Sequence, residues 1–325
     1  MSNLPPPVHT CTPNAHPPRF SFVLPVFKAK YLSESIDSIL NQTMSDFELI
    51  IVNDQSPDDI DSIVFSFNDS RIQYDINEKN IGGTDLILNW NLCCQKAVGD
   101  YLILASDDDV YSPDFLDEVS CLLERYPKVS LVRGRVRSIN EEGAEVEKDH
   151  LFPIYMPQDD FLYYASRGMI SVQAQYVYNR EEFMKRGGFI NFPFAWNSDA
   201  ATAYMMSDGG VLSTPSIVFT FRKSSIHITG DGSIKNRIVK LTADYLYWGW
   251  VHTFVSQLSV KNYKTKFFED VSYHKLQIQF DILLSGIPFS KLSVWRKYCF
   301  QNKYLSRSRK IKIFLHAVFC QITHS

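Results

Sequence analysis

The 325-residue chain has no run of about 18 uncharged apolar residues, so no stretch of it reads as a membrane-crossing helix. Its N-terminus lacks the apolar core of a secretory signal. Pro5, Pro6, Pro7, Pro17 and Pro18 make residues 1–18 read as a disordered or extended leader instead. Cysteine is sparse. The six thiols, at 11, 93, 94, 121, 299 and 320, show no zinc-type spacing, and Cys93 and Cys94 are adjacent and ill placed to bridge each other. Reduced thiols in a cytoplasmic protein are the expectation. The net charge of −3 leaves no global case for a nucleic-acid partner. Acids disappear after Asp281, whereas Lys291, Arg296, Lys297, Lys303, Arg307, Arg309, Lys310 and Lys312 follow it. There is no internal repeat. The composition, 45% hydrophobic and 21% charged, is that of an ordinary globular protein with ample core for one large domain or a domain with an appendage.

What the chain does have is alternation. Phe20 to Leu24 is apolar and rich in strand formers, and Pro25-Val-Phe27 ends it. Tyr31, Leu32, Ile36, Ile39 and Leu40 then recur at helical spacing. Phe47 to Val52 is a second strand that runs into the polar turn Asn53–Asp59. A helix through Ile60, Ile63, Val64 and Phe67 leads to a third strand, Arg71 to Ile76. The turn Asn80-Ile-Gly82-Gly83-Thr84 opens a helix carrying Leu86, Trp90, Cys93, Cys94 and Ala97, and a fourth strand follows from Tyr101 to Ala105. Strand and helix alternating in this way imply a mostly parallel sheet flanked by helices.

The fourth strand ends on three consecutive carboxylates, Asp107, Asp108 and Asp109. Adjacent acids repel one another, so a cation or a set of donors must hold them. Hard ions such as Mg²⁺ and Mn²⁺ take carboxylate oxygens and share a substrate's phosphates. In open α/β sheets ligands sit beyond the carboxyl ends of the strands, where Asp54 also falls. Position and chemistry agree on a metal–phosphate site, and the alternative is a solvated acidic loop. Ser112 and Pro113 are the expected cap and first residue of the next helix. Beyond it, Val129 to Val136 reads as a strand and Glu141–Glu145 as an exposed turn.

Several segments occur in the order seen in family 2 glycosyltransferases of the GT-A fold. They are Phe22-Val-Leu-Pro-Val-Phe27, Ser38-Ile-Leu-Asn-Gln-Thr43, Phe47-Glu-Leu-Ile-Ile-Val-Asn-Asp-Gln-Ser56, Asn80-Ile-Gly-Gly83, Asn89-Trp-Asn91 and Ala105-Ser-Asp-Asp-Asp109. The chain resembles that family over roughly 19 to 130. The resemblance implies a GT-A, Rossmann-like sheet, a nucleotide-diphospho-sugar donor (a UDP-sugar), Mn²⁺ or Mg²⁺, and inversion at the transferred sugar carbon. It also implies a growing glycan or lipid-linked saccharide as acceptor, in surface-polysaccharide synthesis. Carried over residue by residue, Pro25 and Phe27 line the nucleotide pocket and Asp54 accepts from the base N3–H. Asn89 sits among the nucleotide-sugar contacts. Asp108 matches the metal aspartate, with Asp107 and Asp109 beside it at the ribose or the metal. Asn53 and Gln55 depart from the usual Asp and Gly of that turn. In the second half, Tyr176 to Phe189 resembles the segment before the family's base, so that Asp199 corresponds to the general base, and helix N-capping is its alternative role. Phe219 to Thr229 resembles the closing stretch, where Arg222 or Lys223 offsets diphosphate charge and His227 reaches the metal or a phosphate.

The expected organisation is therefore a leader over 1–18, a catalytic domain over 19–230 and a helical basic extension over 231–325. The catalytic domain would comprise a nucleotide-sugar half, 19–130, and an acceptor half, 131–230. In the extension Leu292, Trp295, Phe300, Leu305, Ile311, Phe314 and Leu315 alternate with the cations, the pattern of basic amphipathic helices that lie on an anionic membrane. The alternative is an appendage packed on the catalytic domain with a basic outer face. The expected location is cytoplasmic, peripheral on the inner face of the plasma membrane. Two other functions compete. A sugar-phosphate nucleotidyltransferase would need a Gly-rich basic phosphate loop near the first strand, where Leu24-Pro-Val-Phe27 stands instead. An inactive nucleotide-sugar or glycan-binding module would not need Asp54, Asp108 and Asp199 together. The donor sugar, the acceptor linkage and the oligomeric state are not legible in the residues.

Overall fold

The apolar run at Phe20 becomes β1, Phe20–Val26, whose alternate residues are buried on both faces, as a central strand requires. The computed structural model describes residues 16–223 and 232–323. The described chain continues with α1 (Leu32–Leu40), β2 (Phe47–Asn53), α2 (Ile60–Phe65), β3 (Ile72–Ile76), α3 (Leu86–Cys94), β4 (Tyr101–Leu104), β5 (Val110–Tyr111) and α4 (Phe115–Arg125). Next come β6 (Leu131–Ile139), β7 (Glu145–Lys148), β8 (Tyr155–Met156), α5 (Gln158–Ser166), β9 (Tyr176–Asn179), α6 (Arg180–Lys185), α7 (Ser198–Met206) and β10 (Val211–Arg222). The last elements are α8 (Ile234–Gln257), α9 (Tyr263–Ser285), α10 (Leu292–Trp295) and α11 (Arg307–Thr323). Two compact units result. The second is made of Asp159–Gly168, Ile190–Ala201 and the chain beyond the 224–231 segment, and the first holds the remainder.

The first unit carries the whole sheet, in the order β3-β2-β1-β4-β9-β6-β10-β5. The strands β3, β2, β1 and β4 pair in parallel, as do β6 and β10, while β9 and β5 enter antiparallel. Strand order reverses between β1 and β4, the topological switch point at which such sheets open a ligand crevice. Helix α1 turns Leu32, Ile36 and Ile39 onto the core, and α4 turns Phe115, Leu116, Val119 and Leu123, all at helical spacing.

Helix α4 begins at Phe115, two residues later than Ser112 and Pro113 suggest, and its first residue follows Asp114, whose side chain makes no capping bond. The cap comes from elsewhere. Gln42, 6% exposed, accepts from Leu116 N–H through Oε1 (3.0 Å) and donates through Nε2 to the Ser112 carbonyl (2.8 Å). Ser112 N–H donates to the Val218 carbonyl, and the Thr43 hydroxyl and N–H both donate to the Pro113 carbonyl. Ser112 and Pro113 are thus held in a tie between α1, β10 and α4, and the helix starts after them.

In the second unit α8 and α9 are long helices, α11 packs on α9, and Ile313 and Ala317 of α11 are fully buried. The opposite side of α11 is apolar: Ile311, Leu315, Phe319 and Ile322 are each 58–69% exposed and lie on one stripe. Among the described residues no helix is long and apolar enough to cross a membrane.

Candidate functional site

The site is built where β1, β2 and β4 end. Asp107, just past β4, is half-buried, and its Oδ2 accepts from the backbone N–H of Phe27 (3.2 Å) and of Lys28 (3.0 Å). Ser56, past β2, donates from Oγ to the Phe27 carbonyl (2.7 Å), and Asp58 accepts from Ala29 N–H (2.9 Å). The segment after β1 is therefore gripped from both sides at the switch point. Pro25 remains inside β1, and Phe27 projects with 42% of its surface exposed.

The three aspartates are not equivalent. Asp109 is buried and accepts from Arg222 N–H on β10 (3.0 Å). Asp108 is half-buried and accepts from its neighbour Ser106 Oγ (2.5 Å). Burial pushes the Asp107 carboxyl up, the Asp108 charge adds to it, and the two N–H donors oppose the shift. Burial and the Asp108 charge push Asp109 well up. Three crowded acids, two of them shifted toward the neutral form, are a donor set that a cation would relieve. No group of three His, Cys, Asp or Glu side chains forms a metal cage among the described residues. Arg222 is buried. It donates from Nε to the Asp108 carbonyl (3.1 Å), pairs with Glu34 (2.7 Å), and lies over the Tyr31 ring (4.3 Å). His227 lies outside the described residues.

Asp54 is 2% exposed. Its carboxylate accepts from Asn77 Nδ2 (2.7 Å), Ile81 N–H (2.9 Å) and Gly82 N–H (2.7 Å). A carboxylate has about four lone-pair sites, so this loop occupies three and leaves room for one more donor. Asn77 also donates to Asn89 Oδ1 (3.0 Å), which brings Asn89, buried on α3, into the same network. A Cβ on Gly82 would stand 2.9 Å from Asp54 Oδ2, so this close approach requires glycine. Gln55 adopts φ 53°, the conformation a glycine takes without strain, and its side chain donates to the Asn77 carbonyl (2.7 Å). Asn53 caps the turn by accepting from Ser56 N–H (2.9 Å).

Asp199 belongs to the second unit. It stands inside the first turn of α7, and its Oδ1 accepts from Ala200 N–H (2.8 Å). Burial raises its carboxyl above the ordinary range. Before it, Phe194, Ala195 and Asn197 all have left-handed φ (61°, 55° and 67°) without a glycine among them. Each such residue costs roughly 1–2 kcal/mol, so this turn is held by its surroundings.

Sequence reasoning singled out the acids but not Asn77, which donates to Asp54, nor Glu34, which pairs with Arg222, nor, in the second unit, Asp244, which accepts from Trp196 and Asn197 just before Asp199. Asn91, at the end of the Asn-Trp-Asn motif, accepts from Phe189 N–H (2.8 Å) and donates to the Phe189 carbonyl (3.2 Å). It thereby fixes the turn of Gly187 and Gly188, both at positive φ.

Solved structures share this fold. The first 349 residues of S. aureus TarS, crystallised with UDP-GlcNAc, superpose with a TM-score of 0.66 at 12% identity, covering 93% of this chain and 89% of that one. The Pyrobaculum calidifontis mannosyltransferase PcManGT, in complex with GDP-Man and Mn²⁺, gives 0.53 at 14% identity over 95% and 87% of the two chains. The fold is therefore that of the GT-A glycosyltransferases. Residues 21–186 match the model of glycosyl transferase family 2, and the chain belongs to that family. Among its relatives, an uncharacterised glycosyltransferase of Rickettsia felis is 32% identical over 43% of this chain and 24% of its own length. The Escherichia coli UDP-Glc:alpha-D-GlcNAc-diphosphoundecaprenol beta-1,3-glucosyltransferase WfgD is 30% identical over 38% of this chain and 47% of its own length. The matches thus span less than half of either relative.

Proposed function

We propose that this chain is an inverting glycosyltransferase that moves a sugar from a UDP-sugar to a hydroxyl of a glycan or lipid-linked saccharide in surface-polysaccharide synthesis. The observation that carries the reading is the switch point, where Asp107 holds the segment after β1 beside two further acids in a family 2 chain. Pro25, Phe27 and Asn89 would shape the nucleotide pocket, and the open lone-pair site of Asp54 suits an imide N–H of uracil. Mn²⁺ or Mg²⁺ bound at Asp108, with Asp109 and His227 as further ligands, would supply charge neutralisation to the departing diphosphate. Arg222 would add positive charge there by exchanging Glu34 for the donor. Asp199 would take the proton of the acceptor hydroxyl, and burial, which raises its carboxyl, makes it the stronger proton acceptor. The names of WfgD and of the TarS complex support a UDP-sugar, and that of WfgD supports a diphospho-lipid acceptor.

The basic extension supports contact with the inner face of an anionic membrane. Lys291, Arg296, Lys297, Lys303, Arg307 and Lys312 are exposed, and among the described residues none pairs with a carboxylate. They accompany the apolar stripe of α11, so the combination fits a surface that is at once anionic and apolar beneath. The domain division proposed is a catalytic part over 19–230 and a membrane-facing extension over 231–325.

The decisive experiment is release of UDP from UDP-glucose and UDP-N-acetylglucosamine with and without Mn²⁺. Asp108→Ala should abolish Mn²⁺-dependent UDP binding by calorimetry while leaving the melting temperature in EDTA close to the parent's. Unchanged Mn²⁺-dependent binding would remove Asp108 from the site.

A further inference from the structure

The turn that carries Asp199 is clamped by a helix outside the family match. In the second unit α8 presents Lys240, Asp244 and Tyr247 along one side. Asp244 is 1% exposed, and its Oδ1 accepts from Trp196 Nε1 (2.9 Å) and from Asn197 Nδ2 (3.1 Å). The Lys240 ammonium lies over the Trp196 ring at 5.0 Å, and Phe192 meets Tyr247 edge-on at 5.7 Å. Phe192 N–H donates to Ser198 Oγ (3.2 Å) and closes the turn on itself. Every residue from Phe192 to Ser198 is thus bracketed by these contacts, and three of them are in left-handed conformations that an unsupported chain would leave.

Asp244 is also costly where it stands. Its Oδ2 is buried with no hydrogen-bond partner among the described residues. A carboxylate half-satisfied in the interior weakens a fold relative to an amide or an apolar side chain, so stability does not account for it. What it does accomplish is to draw two donors, one and two residues short of the helix that bears Asp199, onto a single oxygen.

We propose that Asp244 is a positioning residue for Asp199: it holds the Trp196–Asn197 turn in its strained form and so sets the direction of the catalytic carboxylate. This rests on the reading of Asp199 as the base. Burial lifts the Asp244 carboxyl to about 6, against the pull of its two donors and of Lys240. Asp199 and Tyr247 are the other titratable groups nearby, since both acids act on the Tyr247 phenol. A protonated Asp244 still accepts at Oδ1. The clamp therefore needs the acceptor oxygen rather than the charge, and asparagine should replace it.

The test uses the full chain, UDP-N-acetylglucosamine and UDP-glucose as donors, Mn²⁺, and water as acceptor, and follows UDP release. Asp244→Ala should lower kcat by roughly 10–100-fold, the scale of a small misplacement of a catalytic group, with donor KM unchanged. Trp196→Phe, which deletes one donor without touching the helix, should fall in the same direction. Asp244→Asn should recover most of kcat. In an Asp199→Asn background Asp244→Ala should cost nothing more, because the residue acts through Asp199. Independently of turnover, exchange of the Trp196 indole N–H by NMR should accelerate in Asp244→Ala and not in Asp244→Asn. Unaltered indole exchange in Asp244→Ala, a full additive loss in the double variant, or an Asn variant as poor as the Ala variant would each overturn the proposal. Wild-type rates in Asp199→Asn would overturn the reading of Asp199 itself, whereas a slow Asp199→Asn with additive losses would overturn the positioning role alone.

Discussion

Asp109 shows how one residue can be placed against its own stability. Its carboxyl is raised well above 3.8, so the folded chain keeps a proton that the unfolded chain releases. Stability from this group is present at low pH and is lost as pH rises above the unfolded value. Asp109→Asn keeps an acceptor for Arg222 N–H and removes the charge. In EDTA its urea midpoint should match the parent's near pH 4 and exceed it at pH 7. A midpoint below the parent's at pH 7 would contradict the assigned shift. Asp199 is the second acid at this scale. Asp199→Asn keeps the size and the bond to Ala200 N–H but loses the proton acceptor. Donor affinity should hold while transfer falls roughly 10²–10⁴-fold, the worth of a general base. The acids themselves were legible in the sequence, because a triplet after an apolar strand is a local pattern. Their inequality was not. Asp109 turns inward to an N–H that is 113 residues away on β10, and no spacing announces that.

At the scale of elements, the motif Ser38-Ile-Leu-Asn-Gln-Thr43 proves to be an assembly device. Gln42 caps the first turn of α4 by accepting from Leu116 N–H, 74 residues away. Gln42→Ala leaves Leu116 N–H and the Ser112 carbonyl without their partner in a buried place, and should cost about 1–3 kcal/mol. Urea denaturation checks it. An effect within a few tenths of a kcal/mol would mean that water takes over both bonds. The same motif explains why the expected cap failed. Ser112 has the right chemistry for an N-cap, but its backbone is already committed to Val218 and Gln42. Strands and helices themselves were legible because periodicity and burial are local consequences of each other. Their end points were set by partners distant in the chain.

For the whole molecule, the outer side of α11 is the feature with the largest consequence. The eight cations after Asp281 alternate with apolar residues in the sequence, and in the fold an exposed apolar stripe of α11 lies opposite the buried Ile313 and Ala317. Ile311→Asp with Leu315→Asp should abolish flotation on vesicles containing phosphatidylserine at low salt, with the fold intact by circular dichroism. The parent's flotation should decline as salt screens the cations, each worth about 1 kcal/mol near such a surface. Equal flotation of parent and variant would remove the stripe from the contact.

The sequence by itself determined the alternation of strand and helix, the family, and the acids at the strand ends. All of these are written in short windows where neighbouring residues share one element. Only the tertiary structure decided how those acids are held. Asn77 joins Asp54 to Asn89, Arg222 reaches Glu34 and the Asp108 carbonyl, and Asp244 gathers Trp196 and Asn197 from 48 and 47 residues away. The physical reason is that a hydrogen bond depends on distance in space. A buried donor or acceptor must find a partner wherever the fold brings one, and sequence separation carries no information about which one that will be.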